Sequence, residues 1–205
     1  MQMDGYRRGL RVWKIWMMTS LLGAVSVWPI GAAEPYEWER WEGRISLYAG
    51  RHTDTRFLDI VQGETRFKDS YVAAVTWSTT VDNWPPYAEW DAEIGLARHW
   101  GEQRHAELNA AVVLRYIPWP RAQRWRVTTA IGIGPSWATS TPAIERARGG
   151  RTSRRLLFMP FEITVGPAHR RSEVFARVHH RSGGFDVFSR GRGSNFVGLG
   201  WRTAL

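Results

Sequence analysis

The sequence predicts an all-β chain: an eight-stranded antiparallel transmembrane β-barrel of the outer-membrane type, behind a cleaved signal peptide. Three observations carry the prediction. Residues 1–33 are laid out as an export signal, the remainder holds ten of the 13 tryptophans but no apolar run long enough for a spanning helix, and that remainder divides into eight alternating stretches. A chain that crosses a bilayer without a hydrophobic helix must satisfy its backbone hydrogen bonds between strands, and only a closed barrel does so without an exposed edge.

The amino-terminal segment opens with Arg7, Arg8, Arg11 and Lys14, continues as an apolar core from Ile15 to Ile30, and reaches the small residues Gly31-Ala32-Ala33 before Glu34. That order of positive, apolar and small residues is a cleavable signal. Its core falls short of the ~20 residues of a membrane anchor. Residues 34–42 form an acidic, Trp-containing periplasmic lead-in, and residues 43–205 the barrel. Cysteine is absent, so neither disulfides nor thiolate chemistry are available. Mean hydropathy is −0.37, which suits strands with one lipid-facing and one polar face.

The expected strands are Gly43–Gly50, Ser70–Ser78, Tyr87–His99, Ala106–Ile117, Arg124–Trp137, Arg155–Val165, Glu173–Ser182 and Asn195–Leu205. Each has about the length of a tilted transmembrane strand. In the third, Trp90, Ala92, Ile94 and Leu96 alternate with Glu89, Asp91, Glu93 and Gly95. The fourth is clearest, with Leu108, Ala110, Val112, Leu114 and Tyr116 opposite Glu107, Asn109, Ala111, Val113 and Arg115. The last alternates from Val197 through Leu199, Trp201 and Thr203 to Leu205. Charges on the polar faces, among them Glu93, Glu107, Glu162, Arg115, Arg177, Arg181 and Arg202, are expected to pair in a narrow lumen.

With both termini periplasmic, the long connections Arg51–Asp69, Ala138–Arg154 and Gly183–Ser194 face outward, and the shorter Thr79–Pro86, Pro118–Gln123 and Gly166–Ser172 are periplasmic turns. Net charge is +9 for the whole chain and +6 without the four basic residues and one acidic residue of the signal. Basic residues are almost all arginine, and Arg146, Arg148, Arg151 and Arg154 cluster in one outward connection. The guanidinium fork binds phosphate in bidentate fashion, so contact with the phosphates of lipid A in lipopolysaccharide is the expectation. Nucleic acid is not an expected partner of an exported protein, and a homodimer is left open.

Strand seven carries the chemistry. Its apolar side, Val174, Ala176 and Val178, runs into His180 and Ser182, because residues at i and i+2 share a face. A serine becomes a nucleophile when a neighbouring histidine accepts its proton, and the histidine needs a third group to orient it. Asn195, at the start of the outward face of strand eight, and Asp186, in the intervening connection, are the two candidates. His179 falls on the luminal face beside Arg177 and Arg181. The six histidines, at 52, 99, 105, 169, 179 and 180, show no ligand spacing backed by nearby carboxylates, so neither metal nor cofactor is expected.

The plan of signal peptide plus eight-stranded barrel, with His180-Arg181-Ser182 on strand seven and Gly193-Ser194-Asn195 opening strand eight, resembles the lipid A 3-O-deacylases, the PagL-like and acyloxyacyl-hydrolase-related outer-membrane barrels. The resemblance implies Ser182 as nucleophile and His180 as general base at the outer leaflet. It departs from the family at two positions. The position of the family's acid falls on Asn195, and the Asn that commonly follows the serine is Gly183, which leaves the Gly183 and Gly184 amides as oxyanion donors. The implied reaction is hydrolysis of an ester-linked acyl chain of lipid A through an acyl-enzyme. The readings that compete with it are a catalytically silent structural barrel, a lipid A acyltransferase, and a barrel that binds through its outward connections.

Overall fold

The computed structural model describes residues 43–56, 59–60, 62–63, 65–84, 87–119, 124–147, 152–184 and 193–205. The expected signal peptide and lead-in, together with Asp186, Arg148 and Arg151, lie outside the described residues. Eight strands follow one another: β1 (Arg44–Thr53), β2 (Phe67–Trp84), β3 (Ala88–Gly101), β4 (His105–Tyr116), β5 (Trp125–Ala138), β6 (Arg155–Pro167), β7 (Ser172–Ser182) and β8 (Ser194–Ala204). A short helix, α1 (Ala143–Ala147), lies between β5 and β6. Every strand pairs antiparallel with the next, and β1 closes on β8 from Arg44↔Ala204 to Thr53↔Asn195. The barrel is therefore closed, as the alternation predicts. We call the end holding the start of β1 and the end of β8 the terminal end, and the opposite one the mouth.

Strand boundaries differ most in β2. The expected turn Thr79–Pro86 is largely strand, because β2 runs 18 residues to Trp84 and pairs with β3 as far as Trp84↔Ala88. Thr79, Thr80 and Val81 are β-branched and favour extension. A register shift between Thr80 and Asp82 lets the ladder continue past them.

Polarity is reversed relative to a water-soluble protein. All eight described tryptophans face outward, with relative exposures from 42% at Trp77 and Trp90 to 76% at Trp84. Large side chains with one polar edge gather at the two ends of the outer surface. Trp90, Trp125 and Trp201 lie toward the terminal end, and Tyr71, Trp100 and Trp137 toward the mouth. Two such bands separated by Leu, Ile and Val match the aromatic girdles of a membrane-spanning barrel.

The charges are inside. Toward the terminal end, Arg44 binds Glu89 and Asp91 at 3.0 and 2.9 Å, and Arg115 binds Asp91 and Glu162 at 3.2 and 3.1 Å. Arg177 holds Glu93 and Glu162 at 2.8 and 2.7 Å, Arg202 holds Glu162 and Glu173 at 2.8 and 3.1 Å, and Arg126 holds Glu173 at 2.6 Å. These five arginines face five carboxylates, so the layer is electrically balanced, as buried charge must be to be tolerated. The expected luminal pairing is thus realised.

Gly200 marks a close approach in this layer. A Cβ there would lie 2.3 Å from Cζ of Phe175, whose ring stacks under Arg177 and Arg202 at 5.3 and 4.8 Å. Gly200→Val is therefore expected to displace that ring and lower stability by about 1–3 kcal/mol, measurable as a lower urea midpoint of the detergent-folded barrel.

Candidate active site at the barrel mouth

Along β7 the luminal side holds Glu173, Phe175, Arg177, His179 and Arg181, all buried, while Val174, Ala176, Val178, His180 and Ser182 point outward. The period-2 reading of the sequence is borne out, including the luminal placement of His179. Register brings the next residue in. His180 on β7 faces Asn195 on β8, and Asn195 faces Thr53 on β1.

Asn195 is almost fully buried although it sits on the outer face, because the chain leaving β1 covers it. Its Nδ2 donates to the Thr55 carbonyl at 2.8 Å. Thr55 is itself held by its N–H donating to Thr53 Oγ1 at 3.1 Å and by the Arg66 N–H donating to Thr55 Oγ1 at 3.0 Å. With Nδ2 committed to a carbonyl, the amide oxygen is the atom turned toward His180, where Nδ1 donates to Oδ1 at 2.5 Å. The imidazole proton is thereby assigned to Nδ1, which leaves Nε2 as the basic nitrogen on the face shared with Ser182. This is the tautomer a histidine needs to take a proton from a serine. An amide in the third position orients the ring without supplying charge, as in the Cys-His-Asn proteases.

Beyond Ser182 the strand ends at Gly183 and turns. Gly184 has φ +64°, a left-handed conformation that glycine adopts without strain, and its N–H donates to Ser182 Oγ at 3.1 Å. This expected oxyanion amide is thus bonded to the serine's own oxygen rather than aimed at the place of a substrate oxygen. On the β6 side, Met159 lies opposite His180 and Leu157 opposite Ser182, with Phe161 opposite Val178. On the β8 side Val197 and Leu199 continue below Asn195. The serine and histidine therefore sit in an apolar outer wall.

Of the expected arginine cluster, Arg146 and Arg154 are among the described residues. Arg146 is exposed at the end of α1. Arg154 and Arg155 lie over the Trp137 ring at 6.0 Å each, on the outer rim at the mouth.

Two features were not legible in the sequence. The first is Glu145, read only as part of an outward arginine-bearing connection. The structure turns it inward to 0% exposure. Its Oε1 accepts from Arg181 Nη1 at 2.9 Å and Ser194 Oγ at 3.0 Å, and Thr152 Oγ1 donates to Oε2 at 3.0 Å. Arg181 lies between His180 and Ser182, and Ser194 precedes Asn195, so one carboxylate joins from inside the strand ends that carry His180, Ser182 and Asn195 outside. Burial pushes its carboxyl above the usual range, against the pull of Arg181. Glu145→Ala is expected to destabilise the mouth by roughly 3 kcal/mol by leaving Arg181 short of its partner. Glu145→Gln, which keeps an acceptor, costs less, and hydrogen exchange at residues 180–184 and 193–196 distinguishes the two.

The second corrects the reading of the histidines. Sequence spacing shows no cluster, yet β3, β4 and β7 bring His99, His105 and His179 around the Glu107 carboxylate, with Nε2 to oxygen distances of 3.1, 2.8 and 3.0 Å. Only His105 and Glu107 share a strand, two residues apart on β4; His99 and His179 join them across strands.

No protein-family model matches the sequence, and no curated protein matches it. Among solved structures, the chain is similar to the outer membrane enzyme PagL, at 15% identity and a TM-score of 0.59 over 79% of this chain and 99% of that one. Neisserial surface protein A (NspA) aligns at 8% identity and a TM-score of 0.48, over 80% of this chain and 97% of that one. What this chain shares with the first is the fold, a closed eight-stranded antiparallel barrel of the outer-membrane type.

Proposed function

We propose that this chain is an outer-membrane serine esterase of Gram-negative cells that hydrolyses an ester-linked acyl chain of lipid A. Ser182 attacks the ester carbonyl and passes its proton to His180 Nε2. His180, protonated, delivers that proton to the leaving alkoxide, and water then resolves the acyl-serine by the reverse use of the same base. The Gly183 amide, joined by that of Gly184 once it leaves Ser182 Oγ, stabilises the oxyanion. The observation that carries the reading is the bonded chain Thr55 carbonyl, Asn195 amide, His180 Nδ1 on an apolar outer face. A soluble esterase would cover such a dyad with a pocket, whereas here the bilayer brings the acyl chain by lateral diffusion.

The rest of the plan follows. Residues 1–33 direct export, the mouth faces the cell exterior, and Arg154 and Arg155 beside Trp137, with Arg146, contact the lipid A phosphates, joined by Arg148 and Arg151. PagL, named as an outer membrane enzyme, is consistent with this assignment. The alternative of a catalytically silent barrel draws on the neutral third group, which cannot stabilise an imidazolium as a carboxylate does. Mass spectrometry of lipid A from cells expressing the chain tests the proposal. Loss of one hydroxyacyl chain supports it, and unchanged lipid A beside a heat-modifiable, inserted barrel refutes it.

Position 195 tests the triad itself. Asn195→Ala removes the tautomer lock and is expected to lower kcat on the order of 100-fold. Asn195→Asp supplies the missing charge and is expected to raise kcat, while loosening the residue 53–66 segment because a carboxylate oxygen replaces the Nδ2 donor to Thr55. Rates of acyl release in detergent micelles, with proteolysis of that segment, read both effects. An unchanged rate in both variants would transfer the orienting role to Asp186.

A further inference from the structure

We propose that the lumen below the mouth holds a divalent transition-metal ion on His99 of β3, Glu107 of β4 and His179 of β7. The inference is independent of the esterase reading. Ligand atoms of the three residues all lie within 4.8 Å of one another, and all three side chains are buried. His99 Nε2 is 3.1 Å from Glu107 Oε1 and His179 Nε2 is 3.0 Å from Oε2. A tetrahedral ion with bonds of about 2.0–2.1 Å separates its ligand atoms by roughly 3.3 Å, so the two histidine-to-carboxylate contacts are already near that spacing, while ligand atoms up to 4.8 Å apart must draw closer on binding.

The hydrogen bonding around the cluster points to a cation. His99 Nε2 is fully buried and near Oε1, but it lacks the alignment of a hydrogen bond, and Gln103 Oε1 is likewise buried without a partner. Turning the Gln103 amide over satisfies that oxygen with the His99 Nδ1 proton, across the 3.3 Å that now separates Nε2 of Gln103 from Nδ1. The lone pair of His99 then falls on Nε2, facing the carboxylate, where a cation resolves the repulsion. Tyr48 Oη, 2.7 Å from His179 Nδ1, serves as the outer partner of the second histidine, and such partners fix the tautomer and orientation of metal-binding imidazoles. His105 is stacked parallel to His99, with centroids 4.3 Å apart and planes 9° apart. Its nitrogen lies in a separate plane, and its proton serves the carboxylate.

Charge balance agrees. The terminal-end layer is neutral, whereas here, among the described residues, Glu107 and Glu145 face the guanidinium of Arg181, which is 2.9 Å from Glu145 and 3.4 Å from Glu107. A divalent ion carrying one hydroxide in its open position balances the charges of these three described residues. Two imidazoles and a carboxylate suit a borderline ion of the Zn(II) class, which would tie three strands together directly behind His180.

The test uses the full chain, extracted in detergent, stripped by a chelator and titrated with Co(II) and then Zn(II). The expected result is one Co(II) per chain with the intense visible absorption of four-coordinate cobalt, its displacement by Zn(II), and a Zn(II)-dependent rise in unfolding temperature. Binding is expected to vanish in His99→Ala, His179→Ala and Glu107→Gln and to persist in His169→Ala, which alters an exposed turn. Tyr48→Phe, which preserves the ring and so the packing, is expected to weaken binding roughly 10-fold, and it decides the matter if the other variants fail to fold. Absence of stoichiometric uptake by the native chain, unchanged affinity in Tyr48→Phe, or uptake that survives loss of His179 overturns the proposal in favour of a purely hydrogen-bonded cluster.

Discussion

Ser182→Ala is expected to abolish acyl release from lipid A while the barrel still inserts and shows native heat-modifiable mobility. Removing the nucleophile of a serine triad typically costs on the order of 10³-fold or more in kcat, because the remaining groups cannot form the acyl-enzyme. Ser182 lies at the end of β7 on the outer face, and its oxygen accepts one described hydrogen bond, from Gly184. Alanine therefore fits without a clash or a buried charge, and stability should change by less than about 1 kcal/mol. The control is the adjacent histidine. His179 faces the lumen, bonded to Tyr48 and Glu107, so His179→Ala should act through stability and leave catalysis by the folded fraction largely intact. Mass spectrometry of lipid A, normalised to inserted barrel, separates the two effects. Equal activity loss per folded molecule in both variants would refute the assignment of catalysis to the outer face.

Glu162→Ala is expected to produce the largest loss of stability in the barrel. Its two oxygens accept from Arg115, Arg177 and Arg202 and from Thr164, all buried. Truncation leaves three guanidiniums with less counter-charge in a space closed to water, and breaking even one buried pair typically costs about 3–5 kcal/mol. The sign could be the reverse only if the arginines were removed as well. Glu162→Ala should unfold at much lower urea than the native chain, whereas a variant that also replaces the three arginines with apolar residues of similar volume should recover much of the loss. Single-variant stability within about 1 kcal/mol of the native chain would mean that water enters the terminal end and screens the network.

Much of this was legible before any coordinates. Strands β3 and β4 could be divided into faces residue by residue, because a barrel wall has one side in lipid and one in a polar lumen, so that Trp90, Ile94, Leu96 and Leu108 fall on one side and Asp91, Glu93 and Glu107 on the other. The same period put His180 and Ser182 on the apolar face and His179 inside. Turns were less legible at β2, where β-branched residues and a bulge prolong the ladder past the expected end.

Sequence alone thus determined the class of fold, the number of strands, the faces of β3, β4 and β7 and the identity of the outward histidine and serine, since all of these depend on periodicity along one chain. Tertiary structure decided what meets across strands. The pairing of His180 with Asn195, the amide direction set by Thr55, the inward turn of Glu145 toward Arg181 and Ser194, and the gathering of three histidines on Glu107 depend on inter-strand register and barrel closure. Register is set by the summed fit of all eight strands around the ring. Residues as distant as Thr55 and Asn195 become neighbours only when β1 closes on β8.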